Sequence, residues 1–149
     1  MGASVSRKGL TMAQILKRLQ DSSITVGLHK DTGSYENGAS VVDVGMWNEY
    51  GTPDIPERSF LRSTIAANRN KYQGAFKKAY LEAIRGGMNL RASAAFIGNT
   101  ARDDIKQKIE DIKDPGNAPS TIAKKGFDNP LIETRKLWGS IKWKFYYGD

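Results

Sequence analysis

Cysteine is absent from this chain, and histidine occurs once, at His29. The first absence removes disulfides, thiolate metal ligands and cysteine nucleophiles. The second removes a multi-histidine metal cage and any catalytic histidine pair. A Ser–His–Asp triad would have to use His29, which follows the last apolar residue of a strand-like run, where a surface loop histidine is expected, and no Gly-x-Ser-x-Gly elbow is present to serve it. Gly86-Gly87 lacks the Gly-Lys-Ser/Thr ending of a phosphate-cradling loop. The adjacent carboxylates Asp103 and Asp104, like Glu110 and Asp111, fall in a helical pattern that turns neighbours about 100° apart, so neither pair converges on one ion. No apolar run approaches the ~20 residues of a membrane-spanning helix. Met1 to Leu10 has no apolar stretch of the kind a secretion signal carries. The expectation is therefore a protein with no catalytic residue, no cofactor, no metal and no membrane partner.

What remains is an ordinary globular composition, 39% hydrophobic and 26% charged over 149 residues, which predicts a single domain, 1–149, with a flexible N-terminus at 1–10. Charge is distributed unevenly. Between Asp31 and Glu57 there are six acids (Asp31, Glu36, Asp43, Glu49, Asp54, Glu57) and no base. Between Arg58 and Arg91 there are eight bases and one acid, Glu82. Oppositely charged stretches of one chain suit two solvated faces, a nucleic-acid surface, or the unlike sides of a head-to-tail assembly that closes into a ring.

The elements follow from periodicity. Thr11 with Gln14 forms a capping box ahead of Met12, Ile15, Leu16 and Leu19, predicting a helix to Gln20. Ile24, Val26 and Leu28 alternate as a half-buried strand. Turn residues fill the loop 29–40. Val41, Val44 and Trp47 share one face of a helix that ends at Gly51, after which Pro53 and Pro56 hold the chain extended. Leu61, Ile65, Tyr72, Phe76, Tyr80 and Ile84 mark a long helix, and Ala94, Ile97, Ala101, Ile105, Ile109 and Ile112 mark a second, from about Asn89 to Lys113. A loop is expected at 114–130. Ile141, Trp143, Phe145 and Tyr147 alternate with Lys142 and Lys144 in a closing strand, which would complete a sheet by pairing with the first. The fold class is thus α+β, a small antiparallel sheet packed with two long helices. Core burial of Trp143 and Phe145 is favoured over a stacking platform for single-stranded nucleic acid, because the lysines take the opposite face.

Two stretches carry a family resemblance. One runs Trp47-Asn48-Glu49-Tyr50-Gly51-Thr52-Pro53-Asp54-Ile55-Pro56-Glu57-Arg58-Ser59-Phe60-Leu61-Arg62; the other comprises Pro119-Ser120-Thr121-Ile122, Lys125-Gly126, Pro130-Leu131-Ile132-Glu133-Thr134 and Leu137-Trp138-Gly139-Ser140-Ile141. In that order the chain resembles the tail-completion, or neck, proteins of long-tailed bacteriophages, also called minor tail or virion morphogenesis proteins. Ser59 stands where that family commonly has Pro, and Arg135 where it commonly has Gly, a residue that often marks positive φ. The resemblance implies a non-enzymatic α+β virion protein, assembled in host cytoplasm and commonly forming hexameric rings around the DNA channel. It would join a head connector or head-completion protein to a tail terminator or tail tube protein. Candidate subunit contacts are Asp43, Trp47, Glu49, Tyr50, Asp54 and Glu57 on the acidic stretch and Arg69, Lys71, Lys77 and Lys78 on the basic one. Lys142 and Lys144 are candidates for the DNA channel. The alternative is a stand-alone nucleic-acid-binding module using the basic helix and the last strand.

Overall fold

The computed structural model describes residues 11–86, 89–112 and 135–147. In chain order these form α1 (Met12–Asp21), β1 (Ser23–Gly27), a 3-10 turn at Lys30–Thr32, α2 (Val41–Tyr50), α3 (Arg62–Ala67), α4 (Arg69–Ile84), α5 (Leu90–Asp111), α6 (Lys136–Gly139) and β2 (Lys142–Tyr146). β1 and β2 pair as a two-stranded antiparallel sheet, and the fold is α+β. The expected loop at 114–130, the flexible segment 1–10 and the motif from Pro119 to Thr134 lie outside the described residues.

The chain groups into two compact units, each built from separated segments. Of the described residues, one comprises 11–25, 68–86, 89–101 and 143–147; the other comprises 26–67, 102–112 and 135–142. α5 contributes its first half to the former and its second half to the latter.

In the first unit, the Thr11 side chain accepts from the Gln14 N–H while Gln14 returns to the Thr11 N–H, so α1 starts at the predicted capping box. α1 packs on α4. Ala94, Ile97 and Ala101 of α5 are buried, as their spacing predicts. Trp143 lies flat over Gly98, where a Cβ would fall 2.3 Å from the indole, and its Nε1 donates to Asn99 Oδ1 at 2.8 Å. The expected alternation of β2 is only partly realised: Trp143 and Phe145 are partly buried and Lys142 is exposed, but Lys144 is partly buried as well and Tyr147, expected on the apolar face, is exposed.

In the second unit, Val41, Phe60, Ile105, Ile109, Ile112, Leu137 and Ile141 form the core. Burying side chains of this size contributes about 1.5–3 kcal/mol each, offset by the entropy of ordering them. His29 is half-buried rather than an exposed loop residue, and its carbonyl accepts from the Thr32 N–H at 3.0 Å.

Two helix expectations require correction. The stripe from Leu61 to Ile84 predicts one continuous helix, but Asn68 (φ −106, ψ 13) interrupts it between α3 and α4. The buried residues of α4 are Tyr72, Ala79 and Ala83, whereas Phe76 and Tyr80 remain largely exposed. On α2, the buried face is Val41, Gly45, Asn48 and Glu49, and Trp47 is 42% exposed. Gly45 lies on this buried face against Leu28, where an added Cβ would fall 2.1 Å from Leu28 Cδ1 and displace that side-chain tip.

Candidate functional site

The end of α2 is knotted to the start of α3 by one side chain. Glu49, 2% exposed, accepts five hydrogen bonds. Oε1 takes the Ser59 hydroxyl (2.8 Å) and both the main-chain N–H and Nε of Arg62 (2.9 Å each). Oε2 takes the N–H groups of Phe60 and Leu61, both at 2.8 Å. These main-chain donors open α3, whose first turn has no acid of its own. A carboxylate remote in sequence therefore satisfies helix-start donors that a local cap would otherwise take. Burial pushes the Glu49 carboxyl up, but the bonds from Leu61, Arg62, Ser59 and Phe60 together outweigh it and hold it below its ordinary value.

Arg62 completes the corner. Its Nη2 donates to the Glu49 carbonyl (2.8 Å) and to Glu57 Oε1 (2.7 Å), and its guanidinium lies 4.3 Å from the centre of the Tyr50 ring. The hydrogen bonds it donates to Glu49 and then to Glu57 raise its pKa. Asn48 fixes the other side, its carbonyl accepting from the Arg58 N–H at 2.6 Å and its Oδ1 from Arg58 Nη1 at 3.4 Å. Gly51 turns the chain with φ 75, and a Cβ there would sit 3.0 Å from the Glu57 nitrogen. The Thr52 N–H to Ile55 carbonyl bond (2.7 Å) closes the turn that carries Pro53.

This corner leaves an aromatic and acidic face on α2. Met46, Trp47 and Tyr50 are 53%, 42% and 58% exposed, beside exposed Asp43 and Asp54. Trp47 also walls a pocket of about 390 Å³ with Tyr35, Val44 and Lys136. Lys136 donates from Nζ to the Ser34 carbonyl.

The first unit presents the opposite character. Exposed Phe76 and Tyr80 on α4 and Phe96 on α5, the last 67% exposed, line two apolar clefts that share Ala79, Ser93 and Ile97. Lys78 lines one of them. α4 carries Arg69, Lys71, Lys77 and Lys78, all exposed, against the single acid Glu82. Isolated exposed apolar residues are ordinary, but a cluster of aromatics around clefts marks an interaction surface.

A third feature lies in the second unit, around Trp138. Lys106 Nζ sits 4.0 Å and the Arg135 guanidinium 5.8 Å from the centre of its ring. Arg135 has φ 57 and ψ 8, and among the described residues no other non-glycine has positive φ. Arginine here adopts a conformation that glycine takes without strain, at a cost of roughly 1–2 kcal/mol.

Among the candidate contact residues, the structure gathers Glu49, Tyr50 and Glu57 around Arg62, and it places Arg69, Lys71, Lys77 and Lys78 in the other unit. Glu49 is corrected: enclosed by five donors, it offers no surface charge to a partner. Glu57 remains exposed but is already paired with Arg62. Phe60, next to this corner, is wholly buried in the core of the second unit. Asp43, Trp47, Tyr50, Asp54 and the four α4 cations stay accessible. The sequence reading missed Arg62 and the Trp138 cluster. An acid in the last turn of a helix, thirteen residues before a helix start that has no acid of its own, was the available signal for the first. Among the described residues no three His, Asp or Glu side chains gather as a metal site, and no helix is long and apolar enough to cross a membrane. No protein family, curated protein or solved structure matches this chain.

Proposed function

We propose that this chain is a structural, non-catalytic subunit of a bacteriophage neck. It acts as a tail-completion adaptor whose copies join head to tail in a ring around the DNA path. The head connector lies on one side, and a tail terminator or tube protein on the other. The observation that carries this reading is the presence of two unlike, unpartnered surfaces on one chain. One is the acidic aromatic face of α2 (Asp43, Met46, Trp47, Tyr50, Asp54) in the second unit. The other is the cationic, cleft-bearing face of α4 and α5 (Lys77, Lys78, Phe76, Tyr80, Phe96) in the first.

Tryptophan and tyrosine are the side chains most enriched where interfaces concentrate their binding energy, and surrounding charges set register and rate of encounter. A contact between unlike patches on identical chains is heterologous, and it closes into a ring when the rotation permits. The Glu49–Arg62 corner supports the reading from another side. It holds the Trp47–Arg62 stretch, which carries half of the family resemblance, as one rigid unit and so presents Tyr50 and Trp47 in fixed positions. Light scattering on the eluting chain tests the proposal. A closed oligomer of defined mass is expected, and a monomer at all concentrations contradicts it.

A further inference from the structure

We propose that Arg135 and Lys106, both beside the Trp138 ring, with Arg102 one turn before Lys106 on α5, form a contact site for the phosphate backbone of double-stranded DNA. The choice of duplex DNA as the polyanion rests on the neck reading; the patch itself does not.

The patch concentrates positive charge. Arg102 and Lys106 stand at i and i+4 on α5, where like charges repel. Arg135 approaches the Trp138 ring that Lys106 covers, from the turn before α6. Asp103 offsets part of this charge. Its Oδ1 is taken up by Arg102, through Nε and Nη2 at 2.8 Å each. Burial, and then the positive charge of Arg102, push the Lys106 ammonium below its ordinary pKa, with Asp103 only partly opposing.

Arg135 is the telling residue. It is exposed, and its backbone is held in a conformation that glycine adopts without strain. Covering Trp138 does not account for it, since Lys106 already lies closer to the ring. Strained backbone at a solvent-facing guanidinium is accounted for by a ligand that needs the guanidinium. The planar fork of arginine matches phosphate oxygens, and lysine adds a point charge beside it. An acidic face of a second copy is the competing partner, and it would leave a different signature.

The test is a titration of the full chain with a fluorescently labelled short DNA duplex over a range of salt concentrations. Wild type is compared with Arg135→Gly, Lys106→Gln and, as a control for net charge, Lys17→Gln on exposed α1. Each of the first two should weaken binding several-fold and reduce the slope of log affinity against log salt by about 1, as expected for one lost phosphate contact. Arg135→Gly should do so with an unchanged or higher Tm, because the strain is relieved. Absence of DNA binding by wild type at low salt, an unchanged slope in both variants, or an equal loss from Lys17→Gln overturns the proposal. So does a loss of oligomers rather than of DNA affinity in Arg135→Gly, which would mark the patch as a protein contact. Oligomer mass is read separately, so a chain that assembles without this DNA contact, or binds DNA as a monomer, distinguishes failure of the patch from failure of the ring.

Discussion

Glu49 and Arg62 are joined twice through one oxygen: Oε1 of the carboxylate accepts the main-chain N–H and the Nε of the same arginine, each at 2.9 Å. The arginine thereby docks its helix start and its side chain on one acceptor, while its Nη2 returns to the Glu49 carbonyl. The end of α2 and the beginning of α3 behave as one piece because of this pair, and every proposed contact on α2 depends on it.

Replacing Glu49 with Gln should destabilise the fold by about 3 kcal/mol, since an amide presents two donors to buried N–H groups that then lack acceptors. Urea unfolding reads this as a lower midpoint with a similar slope. A loss below about 1 kcal/mol would mean that the corner relaxes around the substitution.

The same residue sets an acid limit. The Glu49 carboxyl titrates below its ordinary value of 4.5 in the folded chain, so the unfolded chain binds its proton first as pH falls. Its contribution is complete above that unfolded value and disappears as pH drops through the lower folded one. The stability gap between wild type and Glu49→Gln should therefore be constant from neutrality to about pH 5.5 and narrow below about pH 4.5. A gap that widens on acidification would contradict the assignment.

Gly45 and Gly98 should respond differently to alanine, although a Cβ at either one overlaps a neighbour. At Gly45 the neighbour is the tip of Leu28, which can change rotamer, and the helix gains about 1 kcal/mol of propensity, so Gly45→Ala should be close to neutral. At Gly98 the neighbour is the Trp143 ring itself, with three of its atoms within 2.7 Å of the added carbon. Gly98→Ala should cost about 1–3 kcal/mol and shift the tryptophan emission as the ring is displaced. Equal effects at the two sites would contradict this packing.

Arg135→Gly should raise stability by about 1 kcal/mol through relief of the left-handed backbone. Thermal unfolding checks the sign. A lower Tm would show that the guanidinium's contact with Trp138 outweighs the strain.

Local signals carried much of the fold. The capping box at Thr11 and Gln14, the Gly51 stop and the Ile105–Ile109–Ile112 register each state their role within a single turn of sequence, and β1 and β2 were visible as alternation. The break at Asn68 was not legible, because Leu61, Ile65 and Tyr72 keep helical spacing across it. Nor was the orientation of α2. Its apolar residues lie around the whole helix, and the side that packs is the one on which Glu49 makes its bonds, which are tertiary. The candidate site was half legible for the same reason. Charge asymmetry marked α2 and α4, but the enclosure of Glu49 and the meeting of Lys106 and Arg135 at Trp138 arise only when distant segments come together.

Charge-swap complementation tests the head-to-tail account most directly. One chain carries Asp43→Lys and Asp54→Lys, so that both of its faces are basic; a second carries Lys77→Glu and Lys78→Glu, so that both are acidic. Each alone should elute as a folded monomer by light scattering and circular dichroism, and an equimolar mixture should regenerate an oligomer of wild-type mass in which the two chains alternate. Oligomers of wild-type mass from either chain alone, or monomers in the mixture, would contradict the account.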